Sequence, residues 1–104
     1  QKEGELILKN IKNTDKVVLL DERGKTFTSI NWSKEIEKEI ICGTKSLVFI
    51  VGGAYGFAQT IYDRADAKLS LSSMTFSHQI IRLFFIEQLY RAFTIIKGEP
   101  YHNE

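Results

Sequence analysis

The chain has 104 residues, 43% hydrophobic and 26% charged, with a formal net charge of +1. That length suits a single domain, 1–104, and the even mixture of acids and bases gives no electrostatic signature of a polyanion-binding protein. No apolar run approaches the ~20 residues of a membrane-spanning helix, and a lone cysteine, Cys42, argues against a disulfide scaffold or a thiolate metal cluster. The opening QKEGEL lacks the basic and apolar regions of a signal segment, so the expected location is the cytoplasm.

In chain order, Leu6, Ile7 and Ile11 predict a short helix over 2–11 that starts ahead of the first residue, with Asn13, Thr14 and Asp15 as turn residues. KVVLL at 16–20 is a compact β-branched run, the pattern of a strand buried on both faces, and 21–25 reads as the loop at its end. Thr28 or Ser29 then caps a helix over 30–41. Trp32, Ile36 and Ile40 share one face of it, Lys34, Glu35, Lys38 and Glu39 lie elsewhere, and Gly43 is its stop. SLVFIV at 46–51 is a second buried strand and runs into the glycine-rich GGAYGF. A helix over 58–68 follows with Ile61, Tyr62 and Ala65 inward, then a third strand over 69–71. After a Ser/Thr-rich bend comes a helix over 79–96 interrupted only by Arg82, Glu87, Gln88, Arg91 and Thr94. A surface helix needs an apolar stripe of only ~100°, so the excess predicts a central helix, a subunit interface, or both.

Alternating helices and strands define an α/β protein with a mainly parallel sheet and helices on both faces. Ligands of such sheets bind outside the carboxyl ends of the strands. Here those ends are Leu20 with Asp21, Gly52 with Gly53, and 71–76.

The glycines of GGAYGF serve either a tight turn or the close approach of a ligand, and the absence of a phosphate-loop lysine argues against a nucleoside triphosphate. Ser70, Ser72, Ser73, Thr75 and Ser77 form either a hydrogen-bonding loop or a helix cap, and a cap suffices for Ser77. His78 and His102 are the only histidines and lack the ligand spacing of a zinc site, so no metal is expected; His78 is either structural or catalytic. Arg82 and Arg91 lie nine positions apart, which at ~100° per residue turns them to opposite sides, and Arg91 has Glu87 within reach as a partner. The tail from Lys97 to His102 either contacts a nucleotide or frays.

GGAYGF followed by LSLSSMTFSHQIIRLFFIEQLYRAFTIIKGEPYH closely resembles the C-terminal part of the ribosomal RNA large-subunit methyltransferase H family, SPOUT-class enzymes. The resemblance extends over the whole chain, from KEGELIL and LDERGK to the tail, and relates it to family members that carry a further N-terminal strand and helix. It implies a C-terminal trefoil knot, a homodimer with a shared active site, and S-adenosylmethionine-dependent methylation of N3 of a pseudouridine in 23S rRNA within the assembled ribosome. The residues it assigns to the cofactor are Leu20, Gly52, Gly53, Leu71, Ser72, Ser73, Met74, Thr75 and Phe76. On the substrate side stand His78 and Arg91, with Tyr101 and His102 closing over the site, and no side chain is an obvious general base. The competing reading is a remnant that dimerises or binds cofactor without catalysing.

Overall fold

The computed structural model describes residues 2–52, 57–72, 74 and 76–102, and seven elements run through them. These are α1 (Lys2–Asn10), β1 (Lys16–Thr26), α2 (Ser29–Ile41), β2 (Leu47–Val51), α3 (Gln59–Arg64), β3 (Ala67–Ser70) and α4 (His78–Ile96). The three strands are parallel in the order β2-β1-β3.

Period-two patterning divides the core between the two faces of this sheet. Val17, Leu19 and Ile50 are buried against Ile61 of α3 and against Ile7 and Leu8 of α1. Leu20 and Leu69 are buried on the other face with Trp32 and Ile36 of α2 and Ala92 of α4. On that face Phe49 of β2 lies 6.2 Å from Trp32 and 4.6 Å from Phe85, ring centre to ring centre, and Trp32 lies 6.0 Å from Phe85. Such edge and tilted pairs add ~0.5–1.5 kcal/mol each beyond area burial, which fastens α2 and α4 to the sheet and to one another.

Helix ends follow the local chemistry. The Thr28 hydroxyl accepts from the Asn31 amide at 3.1 Å to start α2, and the Ser77 hydroxyl accepts from Ile80 at 3.3 Å to start α4. Gly43 ends α2 at φ +80 and Gly98 follows α4 at φ +72. Thr44 and Glu99 then donate back to Glu39 and Thr94 at 3.1 and 2.8 Å. These paired glycine turns satisfy carbonyls that the last helical turn leaves open.

Three boundaries differ from the sequence reading. β1 does not end at Leu20: residues 21–24 are looped out, and pairing resumes with Lys25 opposite Leu69 and Thr26 opposite Ser70. Gly24 permits the return, since a Cβ there would stand 2.7 Å from the Lys68 carbonyl carbon. α3 stops at Arg64 instead of 68, because Asp66 is drawn into the sheet. Its amide donates to the Val17 carbonyl at 2.8 Å and its carboxylate accepts from the Val17 amide at 2.8 Å. β3 accordingly occupies Ala67–Ser70 and not 69–71.

The apolar excess of α4 is only partly used within the chain. Ile81, Phe85, Leu89, Ala92 and Ile96 face the core in one stripe, whereas Leu83 and Ile86 each remain 63% exposed and Tyr90 57%.

Candidate functional site

Register brings the end of β2, the last residues of β3 and the point where β1 leaves the sheet into one row. Leu20 lies opposite Val51 on one side and Leu69 on the other, so whatever follows each of these points emerges at the same edge. A cleft of about 600 Å³ opens there. Leu20, Val51 and Leu69 line it with Gly52 and Phe57 after β2, Leu71, Ser72, Met74 and Phe76 after β3, and Ser77, His78 and Ile81 at the start of α4.

Each wall has a local reason for its shape. A Cβ on Gly52 would meet the Phe57 ring at 3.0 Å, so glycine lets that ring close against the strand end. Phe57 in turn packs edge-on to Tyr62 at 5.6 Å. Across the cleft the Ser70 hydroxyl donates to the Ser72 carbonyl at 2.8 Å, and the Ser72 hydroxyl accepts from the Met74 amide at 3.0 Å. These bonds draw Ser70, Ser72 and Met74 together after β3, so these two serines do more than cap α4. The N-terminal end of α4, with its partial positive charge, also lies at the cleft.

The looped-out residues 21–24 supply a polar rim that the sequence reading does not single out beyond Asp21. The Tyr62 hydroxyl donates to Asp21 at 2.9 Å and accepts from Arg23 at 3.0 Å. Burial by itself pushes the Asp21 carboxyl up, but the Arg23 amide and the Tyr62 hydroxyl together hold it below its ordinary value of 3.8. The available signal for Arg23 was its place just past a strand end; Tyr62 reads only as an inward residue of α3.

Leu20, Gly52, Leu71, Ser72, Met74, Phe76 and His78 thus come together on one cleft, while Gly53, Ser73 and Thr75 lie outside the described residues. Arg91, Tyr101 and His102 do not line it. They form a second cluster on the C-terminal half of α4, over which the Gly98 turn folds the tail. Arg91 donates to both Glu87 oxygens, at 3.4 and 2.8 Å, and stands 2.8 Å from Nδ1 of His102. Tyr101 donates to Glu87 at 2.9 Å and packs edge-on against Tyr90 at 4.8 Å. The Arg91 guanidinium, seconded by Tyr101, holds the Glu87 carboxyl below its usual range, and the same carboxylate raises the Tyr101 phenol. Among the described residues, no group of His, Cys, Asp or Glu side chains could hold a metal ion, and no helix is long and apolar enough to cross a membrane.

A parallel sheet covered on both faces, with a cleft at one edge beside a long C-terminal helix, is an α/β frame of the kind that SPOUT-type proteins share. The chain belongs to that family: the family model described as "Predicted SPOUT methyltransferase" matches residues 1–102. Among curated proteins, the ribosomal RNA large subunit methyltransferase H of Flavobacterium johnsoniae is 60% identical over 104 residues, covering 100% of this chain and 66% of its own length. The protein of the same name from Christiangramia forsetii is 62% identical over 102 residues, 98% of this chain and 65% of its own. That of Parabacteroides distasonis is 59% identical over 104 residues, again 100% and 66%. The chain thus spans about two thirds of the length of the curated relatives it matches.

Proposed function

We propose that the cleft binds S-adenosylmethionine and that the protein directs its methyl group to N3 of a pseudouridine in large-subunit (23S) ribosomal RNA, acting on the assembled ribosome. The observation that carries this reading is the registered convergence of the ends of β2 and β3 and of the point where β1 leaves the sheet on one cleft, in a chain of this family with relatives of that name. The residues present fit the cofactor. A space of about 600 Å³ is in the range of small-molecule sites. Leu20, Leu71, Met74 and Phe76 offer apolar walls with Phe57 packed over Gly52, and the Ser72 turn offers polar groups. The resemblance to the family assigns Gly53, Ser73 and Thr75 to the cofactor as well.

When bound, S-adenosylmethionine supplies a methyl group made electrophilic by its sulfonium. The chain's own residues align the acceptor, keep water out, and stabilise the negative charge that develops as N3 loses its proton. His78 opens α4, where an imidazole N–H and the positive helix end favour that charge. Arg91, Tyr101 and His102 act on the substrate side from a second copy of the chain. Support for a homodimer comes from the exposure of Leu83, Ile86 and Tyr90 along α4. In this reading the chain is one domain, its C-terminal segment is threaded as a trefoil knot, and it works in the cytoplasm.

Calorimetric titration with S-adenosylmethionine, with S-adenosylhomocysteine in parallel, tests the cofactor site. The expected outcome is one ligand per chain at micromolar affinity, about 8 kcal/mol, followed by methyl incorporation into ribosomes. Absence of heat and of any thermal shift at millimolar ligand would sink the cofactor assignment. Binding without methyl incorporation would favour the non-catalytic reading.

A further inference from the structure

Beside the cleft, around the looped-out residues of β1, lies a shallow hollow of about 350 Å³ whose lining includes Arg23, Gly24, Lys25, Tyr62, Asp66 and Lys68. Three cations therefore share one small depression in a chain whose net charge is only +1. Among the described residues, no carboxylate comes within ion-pair distance of Lys25 or Lys68, and Arg23, 76% exposed, reaches Asp21 only at 3.7 Å. Asp66 in the same hollow is already engaged by the Val17 amide at 2.8 Å and by Arg64 at 3.3 Å. Asp21 is likewise engaged by Tyr62. Clustered like charges repel, and Asp21, which pairs with Arg23 and acts electrostatically on Lys68, together with Asp66 offsets the three cations only in part.

The cations are also held in place. Arg23 and Lys68 lie over the Tyr62 ring, at 6.0 and 5.0 Å from its centre, and Lys25 lies 5.0 Å from that of Phe27. Between Arg23 and Lys25, Gly24 lies close enough to β3 that a Cβ there would stand 2.7 Å from the Lys68 carbonyl carbon. Fixed cations lose little entropy when an anion arrives. Arg23 and Tyr62 line the cleft as well as the hollow, so a polyanion seated on the hollow continues directly to the cleft mouth.

We propose that this hollow binds the phosphodiester backbone of RNA beside the nucleotide presented to the cleft, an assignment that rests on the methyl-transfer reading for the identity of the polyanion. A phosphodiester chain carries repeated charges that meet several separated cations at once, and each phosphate contact steepens the salt dependence of binding by ~0.7–0.9 in log–log slope. The test uses purified large ribosomal subunits as the probe and compares wild type, K25Q/K68Q, and a control pair of equal charge change on the exposed face of α2, K34Q/K38Q. The expected result for K25Q/K68Q is a slope shallower by about 1.5 and roughly tenfold weaker binding near 0.1 M salt, with wild-type affinity for S-adenosylhomocysteine. The control should keep the wild-type slope. A wild-type slope in K25Q/K68Q, or an equal loss in the control, overturns the proposal. Methyl transfer by the wild type is assayed alongside. Transfer with an unaltered K25Q/K68Q slope defeats the hollow alone, whereas a local loss of slope without any wild-type transfer upholds the hollow and defeats the methyl-transfer reading.

Discussion

At the scale of single residues, Tyr62 joins the two halves of the cleft rim, because its hydroxyl both donates to Asp21 and accepts from Arg23. Tyr62→Phe removes both bonds and leaves the Asp21 carboxylate, only 8% exposed, short of a donor, so a loss of about 1–2 kcal/mol in unfolding free energy is expected by urea titration. The pH dependence follows from the direction of the Asp21 shift. A carboxyl held below its ordinary 3.8 contributes its stability fully above that value and loses it as the pH falls through the lower folded value. The stability gap between wild type and Asp21→Asn should therefore narrow as the pH is taken below 3.8; a gap constant down to the acid limit would refute the assignment. Arg91 is the other residue of consequence, since it ties Glu87 to the tail through His102. In the proposed function Arg91→Ala depresses methyl transfer at least tenfold while cofactor affinity stays within about twofold, the signature of an interaction outside the cofactor site. A comparable loss of cofactor binding would contradict that division. The pairing of Arg91 with Glu87 is legible in the sequence as a four-residue helical spacing, and Gly52 and Leu71 are legible as the residues that follow strand ends, whereas Leu20 is where β1 leaves the sheet and not its end. Tyr62 is not, because helical periodicity reports that a side chain points inward and says nothing of the loop residues it meets there.

At the scale of elements, a single glycine decides whether β1 can leave the sheet and return to it. An added Cβ at Gly24 would stand 2.7 Å from the Lys68 carbonyl carbon and 2.8 Å from the Leu69 nitrogen. Both are backbone atoms, so the strands themselves must part. Gly24→Ala should cost about 1–3 kcal/mol and loosen the pairing of Lys25 with Leu69. Gly43 is the informative contrast, because nothing lies within 4 Å of its Cβ position and only its φ of +80 resists substitution. Gly43→Ala should cost about 1 kcal/mol, by the conformational term alone, and leave amide exchange in the sheet unchanged. Amide exchange at Lys25 and Thr26 separates the two mechanisms: faster exchange in Gly24→Ala but not in Gly43→Ala is expected, and equal exchange would count against the close packing of β1 on β3. The caps at Thr28, Gly43 and Ser77 could be read beforehand because they are short-range chemistry. The premature end of α3 could not, since it depends on Asp66 meeting Val17, 49 positions away in sequence.

At the scale of the molecule, the long helix shows where one chain stops accounting for its own sequence. Its composition predicts more coverage than a surface helix requires, and the fold supplies it on one stripe only, from Ile81 to Ile96. Leu83 and Ile86 remain 63% exposed, with Ile80, Phe84 and Phe93 also among the exposed apolar residues. Exposed apolar surface gains ~25 cal/mol for every Å² removed from water, so several such side chains favour association strongly when a matching surface is offered. The proposed second copy offers one, and it would also provide the Arg91, Tyr101 and His102 cluster that does not line the cleft of its own chain. The expectation is that sedimentation equilibrium gives twice the chain mass for the wild type and the chain mass for Ile86→Glu, a site whose exposure allows the change without disturbing the core. Methyl transfer should fall with the dimer, while S-adenosylhomocysteine binding declines less because the cleft residues come from one chain. A monomeric Ile86→Glu that methylates ribosomes at the wild-type rate would show that the cleft needs no partner, and would return Arg91, Tyr101 and His102 to a structural role in holding the tail.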